Sequence, residues 1–532
     1  MIKLLILAMA AAAIAGLIVA ARSGRAATLP RNRVRHMRWR LHARRRPGPG
    51  FATGFALWWH FSAFASRRGS GRQTRPGLTA RERRREPHAH SVLVGRAHHR
   101  HAVRVPVQEH LVVFAPPRTG KTQFLGAAVI RYPGPVLSTS TKPDVFRETS
   151  GVRQLGGPVE VFNPQGIGGI GSTFAWDPVA GCEDPAVAIR RADGFANAAA
   201  SPGAGENKFF EDRARAYLRA LFHAAALAGG DMRLVSRWAR TASTGGAVVA
   251  EEILRDCGRP DWADELAQLR SKAERTAATN EMVLTGTLGF MVDPRCALAV
   301  LPSLSGDLDL EEYLTGSGTL YMIADPAGND EAPLAPLFAA LAAEVHHVAS
   351  VLGRAGEGGR LDPPLLMALD EATQICRVPL PRWLADSGGR GIQVATVVHG
   401  EAQLAETWGR HGAQVIMDTS ACKVVLPGVS DPDTLRMLSD ICGTIAYRRG
   451  ELVDHEPVMT PAMINQLPAG RALVKWGNRA PVIVAMEASR RLPAVRLARK
   501  HGRSVAQLTA LPGDSRDPCR GLDEHAARAL PA

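Results

Sequence analysis

The first apolar segment of the chain is an unbroken run of 18 residues, Leu4 to Ala21, and polar and basic positions dominate the stretch that follows it. A helix rises about 1.5 Å per residue, so this run would span roughly 27 Å, close to the thickness of a hydrocarbon core. The pattern predicts a transmembrane anchor at residues 1–21. A cleaved signal peptide, which also places a short apolar run at the N-terminus, is the competing interpretation.

A second apolar stretch, residues 51–65, is short for a membrane span and contains the neighbouring residues Trp58 and Trp59. Aromatic residues flanked by arginine are typical of a helix that lies on the inner leaflet and contacts anionic lipid, which is the favoured interpretation. An amphipathic helix docked on the body of the protein is the alternative. The Arg, Gly and Pro content of residues 67–87 predicts a linker, so residues 22–87 form an arginine-rich juxtamembrane segment.

The net charge of +15 is concentrated in one part of the chain. Residues 22–85 hold eighteen arginines and one glutamate, whereas the rest of the chain is close to neutral. The ten arginines between Arg22 and Arg46 have no acid among them, so the positive-inside rule places this flank in the cytoplasm. The charge therefore indicates membrane topology and is not by itself a sign of nucleic-acid binding. The seven cysteines form no C-x-x-C pair, which argues against a disulfide framework or a zinc site.

Beyond residue 88, short apolar runs bounded by turn residues alternate with longer helical patterns. This alternation predicts an α/β fold with a mostly parallel central sheet. Between 183 and 300 the apolar positions instead recur at i, i+3 and i+4 in alanine-rich segments, which predicts an inserted all-helical subdomain. Besides the strands of the two motifs below, the predicted strands are 135–138, 159–163, 319–324, 393–398, 423–426 and 472–476.

The most specific chemical motif follows a buried strand at residues 110–115. The strand leads into a loop that ends in Gly120-Lys121-Thr122 and then into an apolar helical stretch, which is the order of a phosphate-binding P-loop. Lys121 is expected to reach the β- and γ-phosphates of ATP, and the Thr122 hydroxyl to ligate Mg²⁺. Ala115 stands where glycine is usual, which is sterically possible if its φ is negative. The predicted nucleotide-binding residues are Ala115, Pro116, Pro117, Arg118, Thr119, Gly120, Lys121, Thr122 and Gln123.

A second apolar run, residues 363–369, ends in the acid pair Asp370 and Glu371. Ligands of open α/β sheets bind at the carboxyl ends of the strands, where these acids would lie. Asp370 is predicted to hold Mg²⁺ through its coordination shell, and Glu371 to orient and deprotonate the attacking water. The two motifs predict a nucleotide-binding domain in two parts, 88–182 and 301–490. The helical subdomain at 183–300 interrupts it, and a basic peripheral tail at 491–532 follows.

Further landmarks resemble, in their order, the VirD4/TraG family of type IV coupling proteins. The resemblance covers roughly residues 90–490 and extends to the order of the domains. It implies a RecA-like P-loop ATPase that forms homo-hexamers around a central channel. The all-helical domain would then face the DNA-processing complex, and the anchor would touch the secretion channel. The landmarks are Ser138-Thr-Ser-Thr-Lys142-Pro-Asp144, Val161-Phe-Asn-Pro164, Trp176-Asp-Pro178, Lys208-Phe-Phe-Glu211, Gly388-Gly-Arg390-Gly-Ile392 and Lys423-Val-Val-Leu-Pro-Gly428.

Two positions acquire a hypothesis from this resemblance. Arg390 is a candidate arginine finger that reaches the γ-phosphate of a neighbouring subunit, a role suited to its planar guanidinium. A local ion pair with a carboxylate such as Asp386 is the alternative. The family usually has glutamine where His399 stands, and that glutamine would sense the γ-phosphate. His399 could still donate a hydrogen bond, and an ordinary histidine at the edge of the core is the other interpretation.

Together these observations predict a membrane-anchored enzyme that couples ATP hydrolysis to the transfer of relaxase-bound single-stranded DNA through a type IV secretion channel in conjugation. The expected partners are DNA, gripped through its backbone without sequence preference, relaxase and relaxosome proteins, channel proteins and anionic inner-leaflet lipid. The expected location is the plasma membrane, with the ATPase domain in the cytoplasm, where ATP is available. A pump for protein substrates, a chromosome-segregation motor and a non-hydrolysing membrane receptor for the relaxase–DNA complex are the alternatives.

Overall fold

The computed structural model describes residues 49–199, 205–242, 245–270, 274–302, 308–326, 333–449 and 452–500 of the chain. The predicted transmembrane anchor, the arginine-rich residues up to 48 and the tail beyond 500 lie outside the described residues. The described part includes the second apolar stretch and both predicted ATP motifs.

One large sheet forms the centre of the described molecule, and a separate two-stranded hairpin lies near the end of the chain. The strands are β1 Ser91–Arg96, β2 Ala102–Pro106, β3 Leu111–Phe114, β4 Val136–Ser140, β5 Val159–Phe162, β6 Thr319–Ile323, β7 Leu365–Asp370, β8 Ile392–Val398, β9 Cys422–Val425, β10 Thr444–Arg449, β11 Leu452–Pro457, β12 Arg471–Trp476 and β13 Val482–Ala485. Eleven of them pair in the order β2-β1-β13-β12-β9-β3-β8-β7-β4-β6-β5, and β10 pairs with β11.

The seven strands from β9 to β5 in this order are all parallel. Almost every residue in them is buried, as expected of parallel strands that helices cover on both faces. Every strand predicted from apolar runs is present to within one or two residues. The predicted α/β fold with a mostly parallel sheet is confirmed.

The remaining four strands extend the sheet with antiparallel pairs. Of these, only β12 is predicted from the sequence. β1 and β2 contain Arg96 and Arg104 and form a short hairpin at the sheet edge, where an arginine head group can reach water or a partner. The Arg104 guanidinium contacts the carbonyls of Pro87 and Ser91 and the ring of His88. These contacts accommodate the charge, which interrupts the apolar pattern by which a strand is predicted.

Helices cover both faces of the sheet. They are α1 Gly54–Phe61, α2 Ala63–Gly69, α3 Gly71–Thr74, α4 Ala80–Arg85, α5 Lys121–Arg131, α6 Asp144–Arg153, α7 Pro185–Ala199, α8 Gly205–Leu227, α9 Met232–Arg240, α10 Gly246–Asp256, α11 Pro260–Arg270, α12 Glu274–Thr287, α13 Pro294–Leu298, α14 Leu310–Thr315, α15 Ala335–Ala355, α16 Ala372–Ile375, α17 Leu380–Asp386, α18 Glu401–Thr419, α19 Pro432–Ile441, α20 Pro461–Asn465 and α21 Pro493–Lys500.

Eight of these helices, α7 to α14, lie between β5 and β6, and no strand occurs among the described residues of this interval. The group packs on the core chiefly through α7, which lies along α8 on one side and α15 on the other. Arg190 and Arg191 of α7 both pair with Glu344 of α15, with N–O distances of 2.9 Å. Because all three side chains are largely buried, loss of one partner would leave an uncompensated charge in the interface.

Among the described helices, α15 alone is long and apolar enough to cross a membrane by length and composition. Most of its apolar window is buried inside the protein, including Leu337, Phe338 and Leu341. Its contacts are those of a core helix.

The N-terminal part of the described chain differs from two predictions. The second apolar stretch folds as α1 and α2, which break at Ser62, whose hydroxyl accepts the Ala65 N–H. Leu57 and Phe61 are buried against the sheet, and the Phe61 ring meets Trp476 edge-on at 5.8 Å. The structure therefore shows the docked helix that was the alternative, with one face still exposed.

The prediction of a linker at 67–87 is wrong, because these residues fold into short helices that attach to the body. Arg75 is buried, and its guanidinium contacts Asp362 at 2.5 Å and the carbonyl of Ala89. Asp362 also accepts the Gly77 N–H, and Thr79 forms a capping box with Glu82 at the start of α4. Composition suggested flexibility, but a buried ion pair with a partner far along the chain fixes the segment.

Candidate active site

The P-loop connects β3 to α5 at the carboxyl edge of the sheet. Gly120 has φ of 99°, a conformation that favours glycine, and Arg118 also has a positive φ of 63°. The Thr119 hydroxyl donates to the carbonyl of Pro116 at 2.6 Å, which closes the turn. Ala115 is fully buried, is not among the positive-φ residues, and donates its N–H to the Val398 carbonyl. The alanine at the usual glycine position is therefore accommodated without strain.

The P-loop and the second acidic motif meet because β3, β8 and β7 are adjacent parallel strands. The Lys121 ammonium lies 3.3 Å from Asp370 Oδ1 and donates a hydrogen bond to Glu371 Oε1. These groups are separated by about 250 residues in the sequence, and only the strand order brings them together. Thr122 and Gln123 follow Lys121 in the first turn of α5 and are partly buried there.

Residues at the end of β4 hold the acid pair in position. The Thr139 hydroxyl donates to the backbone carbonyl of Asp370 at 2.9 Å, and the Thr141 side chain hydrogen-bonds to Glu371. Glu371 itself has φ of 53°, unusual for a residue with a side chain, at the turn between β7 and α16. In the sequence this threonine-rich segment is only a landmark of the family resemblance. The position of a residue at the end of a strand does not predict which carboxylate it will contact.

The two carboxylates have opposite pKa shifts. Burial raises the pKa of Asp370 to about 6, and the Lys121 charge only partly offsets this effect. Burial would also raise the pKa of Glu371, but hydrogen bonds from Lys121 and Thr141 outweigh it and leave the pKa below its ordinary value. Glu371 is therefore ionised at neutral pH and able to accept a proton.

The donor set suits a divalent cation. Asp370 Oδ1 is buried and, apart from its ion contact with Lys121, has no hydrogen-bond partner among the described residues. The Lys121 ammonium lies against both carboxylates, so a positive charge already fits in this space. The Asp370 carboxylate and the hydroxyl of Thr122, which follows Lys121 at the start of α5, are hard oxygen ligands of the kind that Mg²⁺ prefers.

His399 follows β8 and lies on the same edge. Its backbone N–H donates to Gln403 Oε1 at 2.9 Å, and its ring Nε2 is buried with no hydrogen-bond partner among the described residues. Burial lowers the pKa of His399, the Lys121 charge lowers it further, and Glu371 acts in the opposite direction. The ring is therefore neutral and in electrostatic range of both residues, which favours a place in the site over an ordinary histidine at the edge of the core.

Arg390 is the one predicted site residue that the fold does not bring to this edge. It precedes the first residue of β8, whereas the P-loop strand β3 aligns its last residue, Phe114, with Val398 at the far end. At about 3.3 Å per residue, roughly 25 Å separate Arg390 from its own nucleotide site. Within the chain its Nε contacts Asp386 Oδ2 at 2.5 Å, which is the alternative pairing. A finger role is open to Arg390 only toward another subunit.

The C-terminal part of the described chain contributes contacts that the sequence did not suggest. The Gln123 side chain donates to Glu148 of α6 at 2.6 Å and accepts the Arg490 N–H. The buried Ser489 hydroxyl also donates to Glu148, at 2.8 Å. A β-carbon on Gly126 would come within 3.0 Å of Ser489, so this glycine permits the close approach. Leu492 and Val495, at the start of the predicted peripheral tail, also pack with Ala127 of the helix that follows the P-loop.

Comparisons with known proteins found one family model that matches part of the chain. Residues 364–469, which include Asp370, Glu371, Arg390 and His399, match the family model described as the TraM recognition site of TraD and TraG. No curated protein sequence matches the chain.

Solved structures of the bacterial conjugative coupling protein TrwB are similar to the described fold. TrwBdeltaN70 in complex with sulphate has a TM-score of 0.55 and 21% identity, over 73% of this chain and 88% of that one. TrwB with ADP and Mg²⁺ has a TM-score of 0.54 and 20% identity, over 74% and 89%. TrwB with the ATP analogue ADPNP has a TM-score of 0.55 and 20% identity, over 76% and 92%. At these identities the similarity establishes a common fold.

The predicted resemblance to the VirD4/TraG family is confirmed. The family model carries the resemblance over residues 364–469, and the TrwB structures show the shared fold.

Proposed function

We propose that this chain is a membrane-anchored, Mg²⁺-dependent ATPase that drives relaxase-bound single-stranded DNA through a type IV secretion channel during conjugation. The observation that carries the proposal is the convergence of Lys121, Asp370 and Glu371 at the carboxyl edge of the parallel sheet. A lysine from the P-loop after β3 and a carboxylate pair from β7, with β8 between the two strands, are the parts that phosphoryl transfer to water requires.

Binding of the triphosphate requires the lysine to change partners. N–H groups of the P-loop and of the N-terminus of α5 would bind the phosphates, and Lys121 would leave Glu371 to contact them. Thr122 and Asp370 would hold Mg²⁺, which when bound neutralises the charge of the β- and γ-phosphates. The buried Asp370 carboxylate, whose ionised form is unfavourable without a full counter-charge, would gain one at that moment.

Release of Lys121 leaves Glu371 free to work on water. Its carboxylate stays beside Thr141, and the positive-φ turn after β7 projects it from the sheet edge. In this position Glu371 orients the attacking water and accepts its proton. The neutral His399 ring, whose Nε2 has no hydrogen-bond partner among the described residues, would form a hydrogen bond near the γ-phosphate.

The domain arrangement proposed for this function is the one expected from the sequence. The nucleotide-binding parts are 88–182 and 301–490, the helical insertion is 183–300, and the anchor and tail are 1–21 and 491–532. A homo-hexamer would place Arg390 of one subunit at the nucleotide of the next. Relaxosome proteins, among them proteins of the kind that TraM represents for TraD and TraG, are the proposed partners, together with channel proteins. The chain would lie in the plasma membrane with its ATPase domain in the cytoplasm.

Phosphate release by the full-length chain in lipid, with and without single-stranded DNA, tests this function. We expect DNA-stimulated hydrolysis that Lys121→Ala abolishes together with ATP binding. Glu371→Gln should keep ATP binding and lose roughly 10²–10⁴-fold in turnover, the usual contribution of a general base. Glu357→Gln, an exposed acid in a surface turn, is the matched control and should turn over normally.

Other results would identify the alternatives. Turnover no higher than that of Lys121→Ala, with or without DNA, would support a non-hydrolysing receptor. Hydrolysis that responds to a protein substrate and not to DNA would support a protein pump.

A further inference from the structure

Four aromatic rings from α1 and α2 form a cluster in which Phe55 and Trp58 are exposed and Trp59 and Phe64 are half-buried. The Trp58 ring stacks on Phe64 at 4.7 Å, and Phe55 lies 5.4 Å from Trp59. Phe55 is 69% exposed and Trp58 41% exposed, although the same helix buries Leu57 and Phe61 on its inner side. The helix therefore has two apolar faces, and only one of them is covered.

Two arginines lie against this cluster. The Arg68 guanidinium lies 3.7 Å from the centroid of the Trp59 ring, and the Arg67 guanidinium lies 5.4 Å from that of Phe64. Arg68 is exposed and Arg67 is half-buried, and no ion pair between either of them and a carboxylate is found among the described residues. The surface made by Phe55, Trp58, Trp59, Phe64, Arg67 and Arg68 is called here the aromatic–arginine face.

The aromatic–arginine face differs from the other exposed apolar residues of the described chain. Those residues are aliphatic or methionine side chains scattered over separate elements, for example Met282 and Val292, and single exposed residues of this kind are normal. A contiguous exposed aromatic cluster instead marks a contact surface. Tryptophan beside arginine is the combination that places amphipathic rings at head-group level and pairs guanidinium with lipid phosphate.

We propose that the aromatic–arginine face lies in the head-group layer of an anionic membrane and thereby fixes the orientation of the ATPase body on the bilayer. This inference rests on the membrane location in the proposed function and adds the surface that contacts lipid. The described chain begins at residue 49, directly before α1, and the preceding 48 residues contain the apolar run at 4–21 and ten arginines. Because the proposed membrane anchor precedes α1 in the chain, α1 is the first described helix after the bilayer.

The charge of the chain favours lipid over another copy as the occupant. The body beyond residue 86 is close to neutral, whereas the segment from 22 to 85 carries eighteen arginines against one glutamate. A second copy would bring the same arginines to the contact, and like charges would repel. An anionic leaflet supplies the opposite charge, and one weak interfacial helix becomes effective when a second attachment holds it at the surface.

Photo-crosslinking of the full-length chain in vesicles tests this orientation. A p-benzoylphenylalanine replaces Phe55, Met282 or Leu17 in separate proteins, in vesicles of phosphatidylcholine with about 30% phosphatidylglycerol. We expect lipid adducts at Phe55 and Leu17, and at least about fivefold less at Met282, which is equally exposed on the helical insertion. Arg67→Gln with Arg68→Gln should lower the adduct at Phe55 several-fold, since each arginine near an anionic leaflet contributes about a factor of five to binding. Arg237→Gln with Arg240→Gln, two exposed arginines of α9, should leave it unchanged.

The outcomes separate this inference from the anchor. Lipid adducts at Leu17 but not at Phe55 would overturn the inference and leave the anchor standing. Adducts at Phe55 but not at Leu17 would support the lipid-binding face and remove the anchor. Adducts at Phe55 to a second copy or to no molecule would overturn the inference, as would an equal lipid yield at Met282.

Discussion

Asp370 illustrates how a residue needed for chemistry can oppose folding when its ligand is absent. Its carboxylate is buried at the end of β7, and the 3.3 Å contact with Lys121 does not offset the loss of water. The pKa is raised from the ordinary 3.8 to about 6, so the ionised form destabilises the folded chain. This cost is fully present above pH 6 and disappears as the pH falls below the pKa of the unfolded chain.

Asp370→Asn should therefore stabilise the nucleotide-free protein while it abolishes Mg²⁺-dependent hydrolysis. A shift of about two pKa units corresponds to at most ~3 kcal/mol, and the lost contact with Lys121 reduces the expected gain to about 1–2 kcal/mol. Thermal unfolding at pH 8 should show a rise in Tm of roughly 1–2 °C, and the rise should vanish near pH 4. Asp433→Asn, at an exposed acid, should change neither value. A gain that is the same at pH 8 and pH 4 would contradict this account of Asp370.

At the scale of single elements, α6 joins α5 to the first residues of β4 and β6 through one side chain. Arg153 is buried, and its guanidinium donates to the Thr319 hydroxyl and to carbonyls of Tyr132, Gly134 and Ser317 at 2.6–3.0 Å. Burial lowers the pKa of Arg153, and these hydrogen bonds satisfy its charge inside the protein. Helix α5, which follows the P-loop, is thus held to the sheet through Arg153 of α6 by hydrogen bonds as well as by apolar packing.

Arg153→Met should destabilise the fold strongly. The substitution keeps much of the apolar stem but leaves several buried carbonyl oxygens without a donor. We therefore expect the free energy of unfolding to fall by about 3 kcal/mol or more. Arg147→Met, in the same helix, removes one exposed hydrogen bond to Gly168 and should lose under about 1 kcal/mol. Urea unfolding of the full chain in detergent measures both. Similar midpoints for the two variants would show that the Arg153 contacts contribute little.

At the scale of the whole molecule, the position of Arg390 allows a test of the proposed hexamer. Arg390 lies at the opposite edge of the sheet from its own nucleotide, so a direct catalytic role requires a ring in which each subunit completes the site of its neighbour. The alternative is a structural ion pair with Asp386 within one chain. These two roles predict different behaviour when defective subunits are mixed.

Lys121→Ala and Arg390→Ala should each abolish or strongly reduce hydrolysis when assayed alone. In mixed assemblies a Lys121→Ala subunit still supplies Arg390 to an intact site next to it, so up to about a quarter of the wild-type rate should return at equal proportions. Phosphate release after co-reconstitution measures this recovery. Asp386→Ala should remain active if Arg390 acts in trans. No recovery on mixing, with Asp386→Ala as inactive as Arg390→Ala, would assign Arg390 to the local pair.

Much of the fold and of the site could be predicted from local pattern. The strand, loop and helix around Gly120 and Lys121 follow one another in the chain, and the acid pair ends an apolar run, so period and turn chemistry suffice to find them. The parallel strands could be predicted for the same reason, because burial on both faces gives near-continuous apolar runs. The arginine-bearing strands β1 and β2 were not predicted, because Arg104 interrupts the apolar run. In the structure, contacts with Pro87, His88 and Ser91 satisfy the Arg104 guanidinium.

Other features depended on contacts between distant parts of the chain. β1 pairs with β13 about 390 residues later, Arg75 pairs with Asp362, and Ser489 packs on Gly126 beside the P-loop. Tertiary structure alone decided that residues 67–87 are fixed, that Thr141 supports Glu371, and that Arg390 lies away from its own site. The sequence by itself determined the α/β class, the P-loop and the acid pair, because those signals lie within a few consecutive residues. The choice of a distant partner depends on shape and charge complementarity in three dimensions, which no local pattern records.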